Sequence, residues 1–253
     1  MKILLDISFL GTAYHGYQVQ PDSPTIQAAL NSAAKDLFGF DCDVVGCSRT
    51  DSGVHANQFF ATVAKRNEIG IDTSIPAHKL ITAFSVRLPQ DISVNNAELV
   101  PDSFHARYDV KHKEYEYLIW NKPQRNPFMY DRSWHYPRYI DDVALKRMND
   151  ACSRFWGTHD FSSYMASNSS VKSTVRTVYD AQITRDGDLL RFKVSADGFL
   201  YNMVRILTGT LIAVAEGKIS PEDIDAITEA RDRSMAGITV PPQGLYLNKV
   251  VYK

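Results

Sequence analysis

Between Val44-Val45 and the run from Phe59 to Val63, two apolar stretches of strand character, the chain inserts Gly46-Cys47-Ser48-Arg49-Thr50-Asp51-Ser52-Gly53-Val54-His55-Ala56. No helical or strand period runs through this insert, which gathers a carboxylate, a guanidinium, hydroxyls and a glycine. Buried strands on both sides make it a loop held at the edge of a rigid sheet, and functional side chains concentrate in such loops. Asp51 is the candidate for chemistry. Arg49, two residues earlier, points to the same side if the segment is extended, and Gly53 permits a backbone turn that a side chain would block.

The pattern around the loop predicts an N-terminal α/β sub-domain over 1–105. Strands are expected over 2–9, 43–46, 58–64 and 92–100. Ser23-Pro24 reads as an N-cap followed by proline at the first helical position, and Ile26, Leu30, Ala33, Ala34 and Leu37 form an apolar stripe ending at Gly39. A second helix over 76–85 stops before Pro89.

A C-terminal α/β sub-domain over 106–253 is expected to complete the cleft. Its long strand over 110–120 sets Tyr115, Tyr117 and Ile119 on one face and Glu114, Glu116 and Leu118 on the other. Val143, Leu145, Met148, Cys152 and Phe155 mark a helix closed at Gly157, and Arg185-Asp186-Gly187-Asp188 signals a hairpin turn. A buried helix is expected over 199–216, another after Ser220-Pro221, and a final strand over 245–252. With no Ser/Gly/Pro linker between the halves, the boundary near 105–110 is a continuous crossing of the sheet.

The 253 residues are 44% hydrophobic and 23% charged, a globular composition. No apolar run approaches the roughly 20 residues of a membrane helix, and Asp6 interrupts the opening apolar stretch, unlike a secretory signal. A cytoplasmic location is expected. The three cysteines include no C-x-x-C pair, and the seven histidines lack H-E-x-x-H spacing, so small buried thiols and no metal are expected. Asp51-x-Gly53-x-His55 superficially matches a hydrolase ligand cluster, but no second carboxylate and histidine pair supports it. A buried, hydrogen-bonded His55 is the plainer reading.

A formal charge of −1 argues against binding nucleic acid by bulk charge. From Arg107 to Tyr139, however, seven basic side chains face four acidic ones among nine aromatic rings. Cations that meet phosphates and rings that stack on bases suit RNA; a solvated strand face with an aromatic core behind it fits the same composition. Arg205 stands in an apolar stretch running to Val214, where a lone guanidinium is costly unless paired or able to reach solvent.

Arg49-Thr50-Asp51-Ser52-Gly53-Val54-His55-Ala56 resembles the signature R-T-D-A-G-V-H-A of the TruA family of tRNA pseudouridine synthases, with Ser52 where alanine is usual. Further matches follow in order: Gly11-Thr12-Ala13-Tyr14-His15-Gly16-Tyr17-Gln18, Phe104-His105-Ala106-Arg107, Lys113-Glu114-Tyr115-Glu116-Tyr117, Met203-Val204-Arg205 with Gly209, and Gly244-Leu245-Tyr246-Leu247. The resemblance implies the α+β pseudouridine synthase fold, a largely antiparallel central sheet with flanking helices and two sub-domains around a catalytic cleft. It implies isomerisation of uridine at positions 38, 39 and 40 of the tRNA anticodon stem-loop by a homodimer, with no cofactor, nucleotide or membrane.

The roles it implies are Asp51 as catalytic carboxylate, Arg205 as its cationic partner and Arg49 as the residue that holds a flipped base. Tyr115 would stack on the target uracil and carry a proton, and Leu245 would add an apolar wall. Two other readings stay open on the residues alone: a catalytically silent tRNA-binding protein of the same fold, and a metal-dependent hydrolase using Asp51 and His55.

Overall fold

Alternating burial forms the strands and apolar stripes form the helices. Over the described residues, 1–167 and 171–252 of a computed structural model, the elements run β1 (Lys2–Phe9), α1 (Ile26–Phe38), β2 (Cys42–Gly46), β3 (His55–Lys65), α2 (Ala77–Ser85), β4 (Ile92–Val100), β5 (Val110–Trp120), β6 (Trp134–His135), α3 (Asp142–Ser153), β7 (Gly157–Asp160), β8 (Val175–Asp186), β9 (Leu189–Ala196), α4 (Met203–Ala215), α5 (Asp223–Ala230) and β10 (Leu245–Tyr252). The fold is α+β with largely antiparallel strand pairing. The chain forms two compact units, Met1–Lys111 with Tyr246–Lys253, and His112–Leu245.

In the first unit β1 lies between β3 and β4, antiparallel to both. The other edge of β3 is shared: β2 pairs antiparallel from Ala61 to Lys65, while β10 pairs parallel at His55 and Ala56. The loop between β2 and β3 therefore leaves the sheet where one partner gives way to the other. Ile3, Leu5 and Ile7 of β1 are fully buried, as are Phe59, Ala61 and Val63 of β3, Leu30 and Ala34 of α1, and Leu80 and Phe84 of α2.

Helix α1 begins later than Ser23-Pro24 predicts. Thr25 is the N-cap, extended at φ −137°, and its hydroxyl accepts the Ala28 amide at 3.3 Å. Pro24 lies before the helix, where its carbonyl takes the His15 amide at 2.8 Å. The predicted stop holds, because Gly39 adopts φ +78° and donates to the Lys35 carbonyl.

In the second unit β5, β9, β8 and β7 are consecutive antiparallel neighbours, and the short β6 runs parallel to the end of β5. The expected hairpin forms, but Asp186 pairs with Leu189, so the two turn residues are Gly187-Asp188, one position later than the Asp-Gly signal places them. Helix α3 packs on α4 and β8. It ends at Ser153, and Gly157 opens β7 at φ +101° instead of closing the helix. Helix α4 is buried on most sides and starts at Met203, not Phe199, because Asn202 interposes a left-handed residue at φ +60°. Ahead of α5 the Ser220 hydroxyl accepts the Asp223 amide at 3.2 Å, and the Asp223 carboxylate accepts the Ser220 amide at 2.8 Å.

Candidate active site

The loop bearing Asp51 is held by main-chain bonds. The Val54 amide donates to the Asp51 carbonyl at 3.1 Å, closing a four-residue turn in which Gly53 takes φ +76°. The segment Gly11 to Tyr17 braces that turn from beneath: the Tyr17 amide donates to the Thr50 carbonyl at 3.1 Å, and the Gly53 amide to the Tyr14 carbonyl at 3.3 Å. The Ser52 hydroxyl adds a 3.3 Å bond to the same Tyr14 carbonyl. Tyr14 is anchored in turn, its hydroxyl donating to Asp91 at 2.6 Å. Burial and the Asp91 carboxylate keep that phenol protonated far above its ordinary pKa.

Along this braced segment Arg49 is exposed, Thr50 buried and Asp51 half-buried. Alternation of this kind turns Thr50 inward, the arrangement that lets Arg49 and Asp51 share the outer side. Two of the quoted motifs are thus one structural object, a turn and its cradle.

His55 opens β3; it does not belong to the loop. It is fully buried, its Nδ1 accepts the Gly11 amide at 2.9 Å, and its ring lies 4.6 Å from that of Tyr246. It is the buried, hydrogen-bonded histidine that the plainer reading expected, and it ties the cradle to the sheet. Among the described residues no group of three His, Cys, Asp or Glu side chains is placed to hold a metal ion.

Arg205, Tyr115 and Leu245 lie in the second unit. Arg205 lies in the first turn of α4, half-buried. Its Nε donates to the Val240 carbonyl at 2.7 Å and its Nη1 to the Asn202 Oδ1 at 2.6 Å. Val240 arrives on a segment that lies directly against α4. A Cβ on Gly209 would fall 1.9 Å from the Ile238 carbonyl oxygen, and the Gly237 amide donates to the Thr210 hydroxyl at 2.9 Å. Small residues let two backbones meet there, and the contact sets where the Val240 carbonyl stands.

The Tyr117 hydroxyl donates to the next carbonyl along, Pro241, at 2.6 Å. Burial holds this phenol protonated, and the positive charge of Arg205 offsets the effect only in part. Tyr115, 7% exposed, meets the Phe199 ring edge-on at 4.9 Å. Leu245 follows a 3-10 turn, Pro242–Gly244, and is 6% exposed. The residues leading into α4 therefore supply both Phe199 against Tyr115 and Asn202 against Arg205. Sequence reasoning overlooked Asn202, Val240 and Phe199. An asparagine immediately ahead of a helix was a usable signal for the first, although it points to an ordinary N-cap, and a backbone carbonyl such as that of Val240 leaves no trace in composition.

The basic and aromatic stretch divides. Tyr115, Tyr117 and Tyr136 belong to the core of the second unit, while Phe128, Tyr130 and Tyr139 are exposed at 85%, 76% and 65%.

A family profile described as tRNA pseudouridine synthase matches residues 151–253. The chain is similar over 99% of its length, and over 99% of each relative, to three proteins named tRNA pseudouridine synthase A. The identity is 45% over 253 residues with that of Thermoanaerobacter sp. (strain X514), 42% over 252 residues with that of Ruminiclostridium cellulolyticum, and 41% over 251 residues with that of Caldicellulosiruptor bescii.

Proposed function

We infer the course of the reaction from the premise that this chain belongs to the tRNA pseudouridine synthase A family and is an isomerase that converts uridine in tRNA to pseudouridine. The uridines concerned are those at positions 38, 39 and 40 of the anticodon stem-loop. Asp51 is the catalytic carboxylate. The reaction breaks the bond from ribose C1′ to uracil N1, turns the base while it stays trapped, and joins C1′ to C5, from which a proton leaves. The net change is an isomerisation, so the balance needs no oxidant, reductant or energy source. A single carboxylate serves it, by attack at C1′ or by assisting loss of a ribose proton.

The observation that carries this reading is the half-buried Asp51 on a turn braced by the main chain of Gly11 to Tyr17. A reacting carboxylate has to be fixed in place and shielded from bulk water, and a loop tied by backbone bonds provides the first of these.

Arg205 acts as the cation that keeps the carboxylate ionised; its guanidinium is oriented by two bonds before any substrate arrives. Arg49, exposed, holds the uridine once it has left the stem, an opening that costs a few kcal/mol. Tyr115 stacks on the uracil, a contact contributing on the order of 1–3 kcal/mol, and takes part in removing the C5 proton. Leu245 closes the pocket with an apolar wall. The enzyme acts in the cytoplasm as a homodimer, in which two copies present their basic strips to one tRNA and read its shape.

The deciding experiment is tritium release from a tRNA transcript labelled at uracil C5, comparing wild type with Asp51→Asn, with the modified positions mapped on the product. Release by wild type alone, from positions 38, 39 and 40, is expected. Equal release by Asp51→Asn overturns the assignment of the carboxylate, and modification elsewhere overturns the assignment of the site on tRNA. Sedimentation of a fully active monomer overturns the dimer.

A further inference from the structure

We propose that Asn202 is a positioning residue for the reaction, and that its left-handed backbone and its side-chain carbonyl together hold the Arg205 guanidinium in one orientation. The inference rests on the role given to Arg205 above and extends it to a residue that touches neither base nor ribose.

Asparagine directly ahead of a helix ordinarily adopts an extended conformation and caps the first free amides with its side-chain oxygen. Asn202 does neither. Its backbone is left-handed at φ +60° and ψ +9°, and its side chain makes no bond to the amides of α4. Only the backbone serves the helix, the Asn202 carbonyl accepting the Ile206 amide at 3.0 Å. The side-chain oxygen is turned instead to Arg205 Nη1 at 2.6 Å. A residue other than glycine enters the left-handed region at a cost that asparagine bears better than most. Both properties of this side chain are therefore in use, tolerance of the turn and an acceptor at the right distance.

The second anchor comes from a different direction. The Val240 carbonyl accepts from Nε at 2.7 Å, while the Val240 amide returns a 3.4 Å bond to the Arg205 carbonyl. Acceptors at two different nitrogens determine the plane of a guanidinium as well as its position, which a single bond does not. Asn202 supplies the one of these two acceptors that a substitution can remove.

The test uses two variants that share the left-handed backbone. Asn202→Gly keeps the turn and deletes the acceptor; Asn202→Asp keeps both the turn and an oxygen. Single-turnover rates are measured by tritium release from the labelled tRNA transcript, with tRNA affinity by filter binding and the unfolding midpoint by circular dichroism. Asn202→Gly is expected to slow the chemical step by about 10²-fold, the scale of a misplaced catalytic group, with affinity and midpoint unchanged. Asn202→Asp is expected to recover most of that loss.

A wild-type rate in Asn202→Gly overturns the proposal. So does an equal loss in both variants, which shows that restoring an oxygen acceptor does not help, or a loss of tRNA affinity that accounts for the slower rate, which makes Asn202 an RNA contact. Arg205→Met separates the two levels. If it turns over normally, the role of Arg205 fails and this inference with it; if it is inactive while Asn202→Gly is not, only the positioning role fails.

Discussion

Gly16 lies so close to Thr50 that a Cβ on the glycine would stand 2.5 Å from the Thr50 carbonyl oxygen, and Gly16 itself holds φ +86°. Cradle and Asp51 loop are thus in backbone contact. Gly16→Ala meets two penalties, about 1–2 kcal/mol for the left-handed backbone and about 1–3 kcal/mol for overpacking. Gly39 has a similar φ, +78°, but nothing within 4 Å of its would-be Cβ, so Gly39→Ala meets the first penalty alone. Urea unfolding should rank wild type above Gly39→Ala and Gly39→Ala above Gly16→Ala, and only Gly16→Ala should lose turnover. Equal stabilities for the two variants would remove the close contact from the account.

The Ser52 hydroxyl meets the Tyr14 carbonyl at 3.3 Å. The Gly53 amide already donates to that carbonyl, and Ser52 is exposed. Ser52→Ala should therefore cost no more than about 1 kcal/mol and leave tritium release near the wild-type rate. A large fall in the rate constant would give the serine a part in the chemistry.

The contact between Gly209 and Ile238 makes a different prediction. A methyl group on Gly209 must displace the segment that carries the Val240 carbonyl to Arg205. Gly209→Ala should destabilise by about 1–3 kcal/mol and slow the chemical step while tRNA affinity holds. If affinity falls and the single-turnover rate at saturating tRNA does not, the segment acts on binding instead of on Arg205.

Asp6, on β1, gives a pH dependence. Burial raises its pKa above the ordinary aspartate value, against the hydrogen bonds from Gln58 and Asn95 that lower it, and its Oδ1 is buried without a partner. The folded state thus disfavours the carboxylate. The contribution to stability is greatest when Asp6 is protonated in both states, declines as pH rises from the unfolded pKa to the folded one, and is flat above that. Asp6→Asn should be more stable than wild type at neutral pH, with the difference shrinking in acid. Urea titrations at the two pH values check this; an advantage that persists in acid points to packing.

Strands with long apolar alternation were legible to the residue: β1, β4, β5 and β10 fall where the pattern puts them. The Asp51 loop was legible for the same reason, as a break between two such runs. What could not be read was set by non-local contacts. Thr25 outcompetes Ser23 as a cap because Pro24 is engaged with His15, and His55 belongs to β3 because Tyr246 pairs beside it. β6 and β7 are too short and polar for a period to emerge. In the site, side-chain identities were visible, but the acceptors that orient them were not: the Tyr14 and Val240 carbonyls belong to the backbone, and Asn202 mimics a cap in sequence.

The pairing of β10 with β3 carries a consequence for biosynthesis. Tyr246 and Leu247 lie beside His55 and Ala56, Asn248 bonds Asn57, and the Tyr252 hydroxyl reaches the Ala106 carbonyl. A ribosome delivers these residues only after the whole of the second unit has left it, so the strand that borders the Asp51 loop stays without its parallel neighbour through most of translation. The nascent chain holds Asp51 long before it holds the frame around it, and a polypeptide released directly after Leu245 carries every candidate side chain while the first unit is unfinished.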